Sequence, residues 1–131
     1  MMKSINVASS TYHDGLKQLS DDKRKSITSK VNANEYYLVF DDIGEVLGGY
    51  ATLQLPHNHL LILGLFSLQK GIGSKILKMI QEDNKDQILR LFCTNRKLLE
   101  YYELQGFTLM YSQIGKEYYE LIKGYKHEPL D

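Results

Sequence analysis

Apolar residues fall along this chain in two rhythms that interleave, short alternating or continuous runs and longer stretches recurring every three to four residues. Residues 3–9 alternate weakly, with Ile5 and Val7 on one side, which predicts a short first strand. From about 12 to 31 the chain is polar and Lys-rich, with Leu16, Leu19 and Ile27 as sparse apolar marks. One or two amphipathic helices follow from that pattern, with Ser20 or Asp21 as an N-cap between them. Residues 35–40 are rich in Tyr, Leu, Val and Phe, Asp41 to Gly44 supply turn chemistry, and 45–55 resume strand-forming residues, which predicts a hairpin. After Pro56 and the polar His57, Asn58 and His59, residues 60–66 are almost continuously apolar. Such a run predicts a strand covered on both faces in the middle of a sheet.

Beyond it, Ile72, Ile76 and Ile80 lie four apart with Leu77 beside them, predicting a helix from Ser74 whose Lys75, Lys78, Gln81 and Glu82 face water. Residues 87–93 read as a further buried strand and 95–105 as a helix ended by Gly106. Residues 107–111 and 116–125 read as a closing hairpin around Gly115, ahead of a loose tail at 126–131. The order is strand, one or two helices, three strands, helix, strand, helix, two strands. Its fold class is α/β (mixed α+β), a central mixed sheet of about seven strands flanked by helices. At 131 residues, with no repeat or linker, the chain is a single domain over 1–131.

Charge and cysteine content narrow the function classes. Sixteen Lys and Arg balance sixteen Asp and Glu, so the overall positive field that non-specific nucleic-acid binding uses is missing. Lone Cys93 excludes an intramolecular disulfide and a thiolate metal cluster, and no metal is expected. Without a stretch near the roughly 20 apolar residues of a membrane span, a soluble cytoplasmic protein is expected.

The chemistry concentrates after the central run. A buried strand, a glycine-containing turn and a helix start together make an anion site, because unpaired N–H groups and the positive end of the helix dipole converge there. Gly71 and Gly73 let the backbone approach phosphate. The segment is not a Walker loop, lacking Gly-Lys-Ser/Thr at the right spacing, and Ile76 stands where the dinucleotide fingerprint has its third Gly. A tight turn with no ligand explains a lone Gly-x-Gly equally well.

Lys70-Gly71-Ile72-Gly73-Ser74-Lys75-Ile76-Leu77 resembles the acetyl-coenzyme A signature of the GNAT superfamily of N-acetyltransferases, Arg/Gln-x-x-Gly-x-Gly/Ala opening a helix after the fourth strand. Asn95 to Phe107 (Asn-Arg-Lys-Leu-Leu-Glu-Tyr-Tyr-Glu-Leu-Gln-Gly-Phe) resembles the family's second block, in which Asn starts a helix and Tyr stands four residues before Gly-Phe. The resemblance implies a GNAT-like sheet and acetyl transfer from acetyl-coenzyme A to an amine of a small molecule or peptide. It places the coenzyme pyrophosphate on the backbone of Gln69, Lys70, Gly71, Ile72, Gly73 and Ser74. It places the pantetheine arm against Ile62, Leu63, Gly64, Leu65 and Phe66 and the segment 91–94, where the fourth and fifth strands part. Leu68 departs from the family's Arg or Gln, which keeps a non-catalytic acyl-coenzyme A sensor or partner-binding module as the alternative.

By the same resemblance Tyr102 is the general acid that meets the leaving thiolate and also touches coenzyme, with Tyr101 its adjacent rival and a packed core tyrosine the plain reading. Asn95 reads as an N-cap, with coenzyme contact added by the family. Residues 60–66 hold no carboxylate, so His57 and His59 are the candidate bases; a His-x-His entering this strand resembles the aralkylamine branch, and a polar turn is the plain reading. Cys93 reads as core. Lys17, Lys23, Arg24, Lys25 and Lys30 fit a solvated helix face, or a macromolecular acceptor such as a protein or aminoacyl-tRNA. Monomer and homodimer are both compatible with the sequence.

Overall fold

The computed structural model describes residues 2–28, 35–113 and 115–124. The expected loose tail at 126–131, with His127, and the end of the first helical region at Lys30 and Val31 lie outside them.

The elements run β1 (Lys3–Asn6), α1 (Ser10–Leu16), α2 (Asp21–Thr28), β2 (Glu35–Phe40), β3 (Val46–Leu55), β4 (His59–Ser67), α3 (Ile72–Asp83), β5 (Ile88–Cys93), α4 (Arg96–Leu104), β6 (Thr108–Ser112) and β7 (Tyr119–Lys123). This is the expected order, with two helices in the first helical region. The first strand stops at Asn6 rather than near residue 9, because the Asn6 side chain accepts the Ala8 N–H and turns the backbone. Ser9 then caps α1 by accepting the Thr11 N–H, and Ser20 accepts the Lys23 N–H ahead of α2. Helix α3 opens at Ile72, two residues before the expected Ser74.

One seven-stranded sheet has the order β1-β2-β3-β4-β5-β7-β6, antiparallel except for β4 beside β5. That pair is parallel because α3 carries the chain back between them, as a crossover must. In this order β4 is the central strand, as expected of the most apolar run. Cover on both of its faces is not what the structure shows: Leu60 and Ile62 are buried, whereas Leu61 and Leu63 are half-buried. Two cores explain this. Ile76, Leu77 and Ile80 of α3 and Leu99 and Tyr102 of α4 pack with Leu60, Ile62, Leu89, Leu91 and Leu121 on one face. Tyr12, Leu19 and Ile27 of the α1–α2 region pack with Leu38, Phe40 and Val46 on the other. Helices α1 and α2 lie over β1, β2 and β3, and the C-terminal strands keep exposed Phe92, Met110 and Tyr111. No helix among the described residues is long and apolar enough to cross a membrane.

Candidate functional site

The site begins where β4 and β5 part. Their ladder has three rungs, His59 with Ile88, Leu60 with Leu89 and Leu61 with Arg90. Beyond Leu61 the strands diverge, and backbone groups on the facing edges are left without a ladder partner. A bulge in β4 helps to open the gap. Ala51 of β3 faces Leu63, but Gly49, two residues along, faces Phe66, three residues along, so β4 carries one extra residue there. Gly64 supplies the left-handed φ of 58° at that point. Opposite it, a Cβ on Gly48 would stand 2.3 Å from the Phe66 carbonyl oxygen, so the glycines of β3 let the end of β4 lie this close. An isolated Gly inside an apolar strand run was the available sequence signal for the bulge; the Gly48–Gly49 pair gave none until its partner strand was known.

The gap holds a cavity of about 190 Å³ lined by Ile62, Gly64, Leu65, Leu91, Phe92, Cys93, Thr94, Leu98 and Tyr102. Tyr102 reaches it from α4. That helix starts where Asn95 accepts the Leu98 N–H at 2.8 Å, and Gly106, with φ of 95°, ends it. The Phe107 N–H then donates to the Tyr102 carbonyl at 3.0 Å, and the two rings meet edge to face with centroids 5.9 Å apart. The Tyr102 hydroxyl makes no hydrogen bond among the described residues. Burial, with smaller contributions from Cys93 and Tyr101, pushes its pKa up to about 12. Cys93 is buried at the end of β5 and its thiol pKa is raised, chiefly by burial, so it is no ready thiolate nucleophile.

At the open end of the gap lies the turn into α3. Gly71, with φ of 86°, precedes the helix and no side chain caps it. The Ser74 hydroxyl donates to the Gly71 carbonyl and the Ile72 N–H to that of Gln69. The Gly73 and Ser74 N–H groups have no protein acceptor among the described residues, leaving donors and the positive helix end for an anion. Lys70 is exposed beside them. Tyr101 points here instead of into the gap: a Cβ on Gly73 would stand 3.2 Å from its hydroxyl. Leu68 is 41% exposed and brings no charge.

The histidines stand at the other end. His57 is exposed at the tip of the β3–β4 hairpin, where it and Asn58 take left-handed φ of 62° and 61°. His59 lies on the first rung of the β4–β5 ladder, about 10 Å below Ile62 at ~3.3 Å per residue. It does not line the gap cavity. Its Nδ1 is buried and has no hydrogen-bond partner among the described residues. Burial, then the Arg90 charge and His57, hold its pKa below the ordinary value and keep the ring neutral near pH 7. The structure thus brings Tyr102, Ile62, Gly64 and Leu65 together in the gap and sets Gln69 to Ser74 at its mouth. Asn95 spends its side-chain oxygen on the helix cap. Among the described residues, no three His, Cys, Asp or Glu side chains converge as metal ligands would.

A seven-stranded mixed sheet that parts between its fourth and fifth strands, with a glycine turn and helix at the mouth of the gap, defines the fold of the GNAT acetyltransferases. Solved structures similar to this chain include an IAA acetyltransferase from Bacillus cereus, 19% identical over 93% of this chain and 98% of that one, with a TM-score of 0.64. A Bacillus subtilis acetyltransferase solved in complex with CoA is 16% identical over 92% of this chain and 95% of that one, at a TM-score of 0.63. The Campylobacter jejuni N-acetyltransferase PseH is 19% identical over 92% and 96%, at 0.62. At such identities the likeness establishes the fold. No protein-family model and no curated protein sequence matches the chain.

Proposed function

We propose that this protein is an acetyl-coenzyme A-dependent N-acetyltransferase acting by direct attack of an amine on the thioester. The carrying observation is the gap itself: an opened pair of central strands, a tyrosine lining it whose hydroxyl has no hydrogen-bond partner among the described residues, and N–H groups at a helix start beside it that likewise have none. The residues fit the coenzyme. The Gly71 to Ser74 turn holds its pyrophosphate with Lys70 alongside, and the parted edges of β4 and β5 pair with the amides of its arm, as sheet edges pair with added strands. Acetyl-coenzyme A supplies the activated acetyl group. Backbone N–H groups at the β4 bulge stabilise the oxyanion as the amine adds. Tyr102 meets the departing sulfur. Burial that keeps this phenol protonated also penalises a thiolate in the same cavity, so its hydrogen bond and then its proton count most as the C–S bond breaks. His59, neutral and on the same strand, accepts the amine proton through water.

The second reading, a non-catalytic acyl-coenzyme A-binding module, is favoured by Leu68, which brings no polar group to the loop. Tyr102→Phe separates the two. Acid catalysis by Tyr102 predicts turnover lowered about 10²–10⁴-fold with coenzyme affinity little changed, and a milder effect of Tyr101→Phe. Turnover within a few-fold of wild type would make Tyr102 a packing residue.

A further inference from the structure

The gap opens on two faces of the sheet, and only one is closed. Helices α3 and α4 cover the face bearing Ile62 and Leu91, and Tyr102 of α4 packs there. On the opposite face, among the described residues, α1 and α2 lie chiefly over β1 to β3 and reach Phe66 at the end of β4. There Arg90, Phe92, Tyr118, Glu120 and Met110 line a cleft of about 230 Å³. It shares Leu91 and Phe92 with the 190 Å³ gap cavity. Each is smaller than the ~300 Å³ at which ligand pockets begin. With Leu91 and Phe92 between them, the two lie side by side where β4 and β5 part, one opening on the less covered face and the other lined by Tyr102.

Within that cleft Arg90 is half-buried and makes no hydrogen bond or ion pair among the described residues. A guanidinium held against Leu61, Phe92 and Leu55 loses hydration and calls for an anion that it can grip with two N–H groups. Among the described residues Glu120, Tyr118 and His59 are the titratable groups beside it. The Glu120 carboxylate accepts the Tyr118 hydroxyl at 2.8 Å, and His59, kept neutral, brings no charge. Ladder positions add a ruler. Arg90 pairs with Leu61 on the last rung before the gap and with Ile122, while Phe92, next on the same face, pairs with Glu120. Two residues span about 7 Å of strand. A carboxylate gripped at about 2.8 Å, with an amine some 3 Å from its oxygens, reaches about 6 Å and so fits within that span. The Phe92 and Tyr118 rings stack at 5.9 Å beside the same path.

Resting on the acetyltransferase reading, we propose that the acceptor is a free amino acid with a large apolar side chain. Arg90 binds its carboxylate, Glu120 favours its ammonium end two residues nearer the gap, and Phe92, Tyr118 and Met110 hold the side chain. The ammonium gives one proton to water. The amine nitrogen bonds to the acetyl carbon, the C–S bond breaks, the Tyr102 proton passes to sulfur, and the second amine proton leaves through water to restore the Tyr102 phenol; an N-acetyl amino acid, free thiol and one net proton result with no redox change.

The test compares L-phenylalanine with phenethylamine, the same side chain and amine without the carboxylate, in wild type and Arg90→Gln with acetyl-coenzyme A. Wild type is expected to favour L-phenylalanine in kcat/KM by about 10²-fold, since a site built for a charged group rejects the analogue lacking it. Arg90→Gln should remove that preference, chiefly through KM, and leave phenethylamine within about three-fold. The proposal is overturned if phenethylamine is the equal or better wild-type substrate, if Arg90→Gln lowers both alike, or if peptides or polyamines are acetylated and L-phenylalanine is not. Those results leave the acetyltransferase reading standing. Failure of every amine defeats that reading, and this acceptor with it.

Discussion

Tyr101 and Tyr102 are neighbours in sequence and point about 100° apart, because a helix turns once in 3.6 residues. One hydroxyl overhangs Gly73 at the phosphate turn and the other enters the gap. The register with Gly106 and Phe107 made Tyr102 legible from sequence, since those two residues end α4 and seat the ring. Asn95 was legible for a simpler reason, its capping chemistry. Arg90 was not, and Phe92 was legible only as part of the segment 91–94 beside the gap. Alternation along a strand tells which residues share a face, never which face the helices leave bare. His59 stands between these cases, a visible residue whose ladder position only the fold reveals. Its depressed pKa keeps the imidazole unprotonated to below pH 6.5, so the acid-side limb of wild-type kcat/KM that depends on His59, as distinct from the ionisation of the amine itself, should lie below that point. His59→Ala should lower turnover near neutral pH and recover in part at higher pH, where the amine loses its proton unaided. Unchanged pH profiles for both His59→Ala and His57→Ala would remove the histidines from the mechanism.

At the scale of elements, the strands and helices of the C-terminal half follow their sequence rhythm closely, and the departures are local. Helix α3 begins early because Gly71 takes the left-handed turn that frees Ile72 to start it. The apolar run of β4 reads as doubly covered, yet only Leu60 and Ile62 are buried, and Leu61 and Leu63 on its other face are half-buried beyond the reach of the second core. The phosphate turn offers the clearest element-level test. A Cβ at Gly73 meets the end of the Tyr101 side chain at 3.2 Å and no backbone within 4 Å, so Gly73→Asp should fold. Its carboxylate would sit among the N–H groups meant for phosphate, and acetyl-coenzyme A binding by calorimetry should fall below detection. Wild-type affinity in the folded variant would place the coenzyme elsewhere.

Across the whole molecule, the two helix pairs divide the sheet unequally. Helices α1 and α2 shield the N-terminal strands on one face, α3 and α4 brace the centre on the other, and β4 and β5 part between these supports. The element order carried enough information for the fold, because a single parallel pair joined through α3 forces the central crossover. Cavities were beyond the sequence, since they arise from where packing stops. Amine acetylation is the claim on which every residue assignment rests, and it is tested most directly by mass. Wild-type protein is incubated with acetyl-coenzyme A and a panel of amino acids, small amines and peptides, and the products are weighed. One or more amines should gain an acetyl group with stoichiometric release of free coenzyme thiol, at a kcat on the order of 1 s⁻¹ or faster. Saturable binding of acetyl-coenzyme A with no acetylated product from any amine would contradict the claim and make the chain a coenzyme-binding module.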